Sequence, residues 1–122
     1  MIRIMAKSKL HRGTVTFTDI NYEGSISIDK ELMERADLYV GEKVLVVDIN
    51  NGNRFETYVI EAKRGSKEIG INGGAARLVH KGDRCIILSF AGYSKQDLEN
   101  YVMKVIVLNE KNEIVNEITH RI

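Results

Sequence analysis

The sequence predicts a small, mainly β fold, either a barrel or a sandwich, on three observations. Short runs rich in Val, Ile, Thr, Tyr and Phe recur at 12–18, 43–49, 55–60, 69–71, 85–90, 102–108 and 114–118, and these residue types fit a pleated, half-buried surface. Turn signals fall between the runs, at Asn51-Gly52, Arg64-Gly65-Ser66 and Lys81-Gly82-Asp83. Many short strands packed into 122 residues point to a closed or doubled sheet, because an open one would leave edges and one apolar face unprotected. No repeat, low-complexity segment or linker interrupts the chain, so 1–122 reads as a single domain.

Taken in order, the run at 12–18 is the first strand, and Lys7-x-Lys9-x-His11 just ahead of it alternates so that all three side chains share one strand face. Asp29 is a good N-cap for a short helix over 30–36, with Leu32, Met33 and Ala36 at helical spacing and Gly41 available for the exit. Four strands follow, at 43–49, 55–60, 69–71 and 85–90. Ser94-Lys95-Gln96-Asp97 resembles a capping box opening a second short helix into 98–101. The strands at 102–108 and 114–118 complete the chain.

Composition removes several function classes. A hydrophobic content of 43% with 29% charged residues is ordinary for a globular protein, and 18 basic against 17 acidic residues leave the net charge near zero. No whole-chain electrostatic case exists for nucleic acid or an anionic membrane, and any positive potential must be local. Arg3, Lys7 and Lys9 break up the N-terminus before an apolar leader forms, and no run approaches the roughly 18 apolar residues of a membrane span. A cytoplasmic location is therefore expected. Cys85, the only cysteine, excludes an internal disulfide and sits in the apolar Arg84-Cys85-Ile86-Ile87-Leu88, where it reads as a small buried hydrophobe. His11, His80 and His120 lack metal-ligand spacing, so no metal is expected.

The stretch with distinctive chemistry is Tyr22-Glu23-Gly24-Ser25. A glycine carbonyl before a serine can be reached by the serine hydroxyl if the backbone takes up strained, positive-φ geometry. Addition of Ser25 Oγ to the Gly24 carbonyl gives an N-to-O acyl shift, and β-elimination from the ester followed by hydrolysis leaves a ketone at residue 25. By itself Gly-Ser equally fits a solvated turn. Around it, however, stand Lys9-Leu10-His11-Arg12, Asn51-Gly52-Asn53-Arg54-Phe55-Glu56-Thr57-Tyr58 and Ile71-Asn72-Gly73-Gly74-Ala75-Ala76. In order and spacing this set resembles the pyruvoyl-dependent aspartate 1-decarboxylases from Met1 to about Phe90.

That resemblance implies a double-psi β-barrel with two or more short helices, assembled as a homotetramer with active sites between neighbouring subunits. It implies self-cleavage into 1–24 and 25–122, a covalent pyruvoyl group from Ser25 that forms a Schiff base with L-aspartate, and release of β-alanine and CO2 for pantothenate synthesis. Decarboxylation leaves a carbanion at Cα, which needs an electron sink. Pyridoxal phosphate is not expected, since Gly70-Ile71-Asn72-Gly73-Gly74 matches no phosphate loop.

By the same resemblance Lys9 and Arg54 hold substrate carboxylate, a role suited to a bidentate guanidinium, although each residue's own context also fits a solvated strand. Thr57 stabilises the oxyanion of self-cleavage at Gly24 and contributes to substrate binding, and Tyr58 returns a proton to the carbanion. Asn72, Gly73, Gly74 and Ala75 position substrate and pyruvoyl, with His11 and Tyr22 behind them. Many relatives have alanine at position 74, which raises the question of how this loop is shaped. Two alternatives stand beside this reading: a pyruvoyl decarboxylase for another amino acid, against which Arg54 and Lys9 argue, and a non-catalytic β-barrel binding module.

Overall fold

The computed structural model describes residues 1–121. Nine strands form one continuous mixed sheet: β1 (Arg3–Thr14), β2 (Phe17–Asp19), β3 (Ile26–Asp29), β4 (Lys43–Asp48), β5 (Arg54–Ala62), β6 (Ile69–Asn72), β7 (Arg84–Tyr93), β8 (Val102–Leu108) and β9 (Ile114–Arg121), in the order β2-β6-β3-β5-β4-β7-β1-β8-β9. Three pairs are parallel, β1 with β8, β2 with β6 and β3 with β5, so the chain must cross over repeatedly rather than meander. The architecture is mainly β and barrel-like, as a double-psi β-barrel requires. Its centre is filled by Leu10, Val15, Ile26, Ile28, Val44, Val46, Val59, Ile69, Ile71 and Ile87, each almost fully withdrawn from solvent.

Helical structure is short. Helix α1 (Lys30–Arg35) buries Leu32 and Met33, and Asp29 caps it by accepting the Glu31 N–H at 2.8 Å. The same buried carboxylate accepts from Gly65 N at 3.0 Å and Lys67 N at 2.8 Å, so one side chain joins the end of β3, the start of α1 and the turn before β6. The capping box at Ser94 forms reciprocally with Asp97, but the turn it opens is a 3₁₀ helix, Asp97–Asn100. A further 3₁₀ helix, Gly73–Leu78, follows β6 directly.

Two sequence expectations are corrected, and one strand is added that the sequence did not announce. The strand expected over 12–18 is two strands: Val15 N–H bonds Asp83 O and Thr16 N–H bonds Ile69 O, so the chain changes partners between β1 and β2. The segment 26–29 is a strand buried on both faces, which its four residues were too few to announce. On β1, a bulge between Ala6 and Ser8 takes Lys7 out of the ladder, and its ammonium goes to Glu42 at 2.7 Å and the Asp37 carbonyl. Lys9 and His11 keep the alternation, between buried Ser8, Leu10 and Gly13. Cys85 is fully buried, and burial pushes its thiol up to about 12, in keeping with a small core hydrophobe.

Candidate active site

Gly24 and Ser25 lie between β2 and β3, where the chain turns back into the sheet. The strained φ falls on Ser25, at 100°, and not on the glycine. A non-glycine residue there typically costs about 1–3 kcal/mol and persists only where its surroundings enforce it. The enforcing contacts come from the adjacent strand. Asn72, at the end of β6, donates its backbone N–H to Ser25 O at 3.0 Å, and its Nδ2 donates to Ser25 Oγ at 3.0 Å and to Ser27 Oγ at 3.1 Å. All three side chains are buried.

Gly73 continues the cradle. Its φ is +74°, and a Cβ added there would lie 2.8 Å from Gly24 N, 2.9 Å from Gly24 Cα and 3.1 Å from Tyr22 O. Only a residue without a side chain lets the 3₁₀ helix press against the Gly24 backbone this closely. Gly74 differs: a Cβ there meets nothing within 4 Å, so an alanine would fit without moving the loop. Ala75 is partly buried and packs against the core.

Opposite the turn runs β5. Phe55, Thr57 and Val59 alternate inward along it, while Arg54, Glu56 and Tyr58 face outward. A Cβ on Gly24 would come 4.0 Å from Tyr58 Cε1, placing the ring beside the Gly24-Ser25 peptide with 44% of the residue exposed. Tyr22 is 53% exposed on the same turn. Thr57 faces inward one residue from Tyr58, paired with Val44 on β4. Arg54 opens the strand and is exposed. Its approach is fixed to the cradle, because Asn51 Nδ2 and Asn53 Nδ2 donate to Leu78 O at 3.1 and 2.9 Å, tying the hairpin before β5 to the end of the 3₁₀ helix that begins at Gly73.

The hairpin is also held from beneath. Asp48 is fully buried, and its Oδ1 accepts from Asn50 N at 2.8 Å. Burial first, and then the neighbouring Asp83 carboxyl, push Asp48 up to about 6, while the hydrogen bond to Asp48 holds Asp83 below the usual carboxylate range. Of the two carboxyls, Asp48 is therefore the one that takes up a proton first as pH falls.

Lys9 and His11 belong to a strand that does not pair with β3. Both are on β1, and β5, β4 and β7 intervene along the sheet between it and β3. Around them is the local positive potential that the neutral overall charge allowed: burial, then Lys9, Arg12 and Arg84, lower the basicity of His11, whose Nδ1 is buried without a hydrogen-bond partner. Ser27 and Asp29 escaped the reading of the sequence as members of this region. The available signal was the Ser25-x-Ser27 spacing, which sets two hydroxyls two residues apart at the entry to β3.

Arranged this way, the turn offers a buried serine hydroxyl, a strained peptide, an amide donor on the hydroxyl oxygen and a phenol alongside. Comparison with known proteins agrees in extent and kind. The family described as Aspartate decarboxylase matches residues 1–115, well past Phe90. A protein of Wolinella succinogenes named Aspartate 1-decarboxylase is 52% identical over 118 residues, 97% of this chain and 97% of its own. Those of the same name from Thermotoga sp. strain RQ2 and Acetivibrio thermocellus are 56% and 53% identical, covering 96% and 95% of this chain and 99% and 92% of theirs. The chain belongs to the aspartate decarboxylase family.

Proposed function

We propose that this chain is an aspartate 1-decarboxylase, converting L-aspartate to β-alanine and CO2 for pantothenate synthesis, and that it first cuts itself between Gly24 and Ser25 to make a covalent pyruvoyl group. The observation carrying the proposal is Ser25 itself, buried and held at φ 100° with Asn72 on its hydroxyl and Gly73 against the Gly24 backbone. The residues fit the group: it is made from an atom already in place, in a cradle that a Cβ at residue 73 would fill. Once formed, the ketone supplies the electron sink for loss of the carboxylate. Cleavage would leave one folded unit, since 1–24 carries β1, paired along most of its length with β7 and also with β8.

The remaining roles belong to this chain's side chains. Tyr58, beside Gly24 and open to solvent, would hold the proton returned to the substrate's Cα. Arg54, on the same outward face of β5, would take a substrate carboxylate in bidentate fashion, and Asn72 with Gly73, Gly74 and Ala75 would orient the reacting end. Thr57 would act on the Gly24 carbonyl during cleavage. Lys9, several strands away in the same subunit, would complete the carboxylate site from a neighbouring subunit of a homotetramer, with His11 behind it. The test is β-alanine formation from L-aspartate by the purified protein and by a Ser25→Ala variant. Equal turnover by both would end the proposal.

A further inference from the structure

Ser25 lies just ahead of β3 and Ser27 two residues on within it, and both side chains meet one carboxamide. Asn72 Nδ2 carries two N–H groups; one is given to Ser25 Oγ at 3.0 Å and the other to Ser27 Oγ at 3.1 Å. The three residues are 2%, 8% and 3% exposed, so water does not compete for these donors. The backbone bond from Asn72 N to Ser25 O fixes the main chain of Asn72 but not the rotation of its amide. Besides Ser25 itself, the side-chain contact on that amide is Ser27 Oγ.

We infer that Ser27 is a positioning residue for self-cleavage, holding the Asn72 amide so that its N–H stays on Ser25 Oγ from start to finish; this rests on the reading of Gly24-Ser25 as the cleavage site. In the acyl shift, Oγ bonds to the Gly24 carbonyl carbon and gives up its proton. The carbon–nitrogen bond breaks, and the Ser25 nitrogen takes up a proton to become a free amine. In the elimination, the Cα proton of residue 25 passes to water and its electron pair forms the Cα=Cβ bond. The Cβ–Oγ bond breaks with its pair moving to Oγ, which leaves as a carboxylate oxygen of Gly24. Negative charge therefore grows on the atom that Asn72 addresses. Hydrogen bonds to a charged oxygen are roughly twice as strong as neutral ones, so the contact helps the elimination more than it helps the resting chain, provided the amide cannot turn away.

Ser27→Thr and Ser27→Val have the same shape and differ in the hydroxyl. Fresh protein of each would be followed by denaturing intact mass, with and without hydroxylamine to cut any ester. The expected result is cleavage near the parent rate for Ser27→Thr and roughly three- to tenfold slower for Ser27→Val, with a hydroxylamine-sensitive ester building up only in the latter. A mere packing role would slow both alike and accumulate no ester. Should the added bulk slow both, Ser27→Ala decides: slow cleavage with ester upholds the inference, and the parent rate overturns it. Ser27→Val cleaving at the parent rate likewise overturns it, while the cleavage reading stands. A parent chain that never cleaves overturns that reading and the inference together.

Discussion

Substituting Gly73 by alanine perturbs the cradle at its tightest point, and Gly74→Ala, one residue on, is its control. At Gly73 a left-handed φ of +74° costs alanine about 1–2 kcal/mol. A Cβ placed 2.8–2.9 Å from the Gly24 backbone must also displace main chain and not a yielding side chain, adding about 1–3 kcal/mol, as overpacking does. The sum is roughly 2–5 kcal/mol, or a fall in melting temperature of roughly 8–20 °C at about 4 °C per kcal/mol. At Gly74 the Cβ meets open space and φ is ordinary, so alanine is expected to be neutral or to stabilise by about 0.4–1 kcal/mol. Thermal unfolding in a Ser25→Ala background, at fixed protein concentration, keeps every sample a single chain and removes mass-action differences. In the Ser25 background Gly73→Ala should also cleave more slowly, because the atoms it pushes are Gly24 N and Cα. Equal stability of the two variants, with equal cleavage, would refute the cradle.

Arg54→Ala is expected to cleave at the parent rate but to lose about 1.5–3 kcal/mol of substrate interaction, roughly ten- to over a hundredfold in kcat/KM for L-aspartate; unchanged kinetics would move the carboxylate site elsewhere. Tyr58→Phe keeps the ring against Gly24 and should give fully cleaved protein whose kcat falls while KM holds. Intact mass and steady-state rates on one sample test this, and normal turnover would assign the proton to another group. Asp48→Asn tests the buried carboxyl pair. Because Asp48 is raised from 3.8 to about 6, the folded chain holds a proton that the unfolded chain has released, and parent stability falls as pH rises through that window. Asparagine keeps the oxygen that accepts from Asn50 and offers Asp83 an N–H, so the variant should outlast the parent in urea above about pH 6 and lose that advantage below the window.

Much of the sheet was legible because its strands carry the residues that pleated surfaces favour, and turns such as Asn51-Gly52 and Lys81-Gly82-Asp83 place glycine at positive φ. What failed was where partners change. Thr14-Val15-Thr16 reads as continuous strand, yet its backbone bonds go to Asp83 and Ile69, positions fixed by topology alone. The segment 26–29 is too short for a period to declare itself, and Gly73-Gly74-Ala75-Ala76 has little helical pattern to reveal its 3₁₀ turn. At the site, Gly24-Ser25 and its companions stood out by resemblance. The location of the strain on Ser25, however, depends on Asn72, 47 residues later. Ser27 was hidden for the same reason, since its importance lies in an amide that only the β3–β6 pairing brings across.

The central claim is that this chain breaks its own backbone at Gly24-Ser25, and denaturing intact mass of the purified protein beside its Ser25→Ala variant tests it most directly. The account predicts two species from the parent, residues 1–24 with a free carboxylate and residues 25–122 led by a borohydride-reducible ketone, and one unbroken chain from the variant. A parent that remains whole, or a Ser25→Ala variant cut at the same bond, would contradict it.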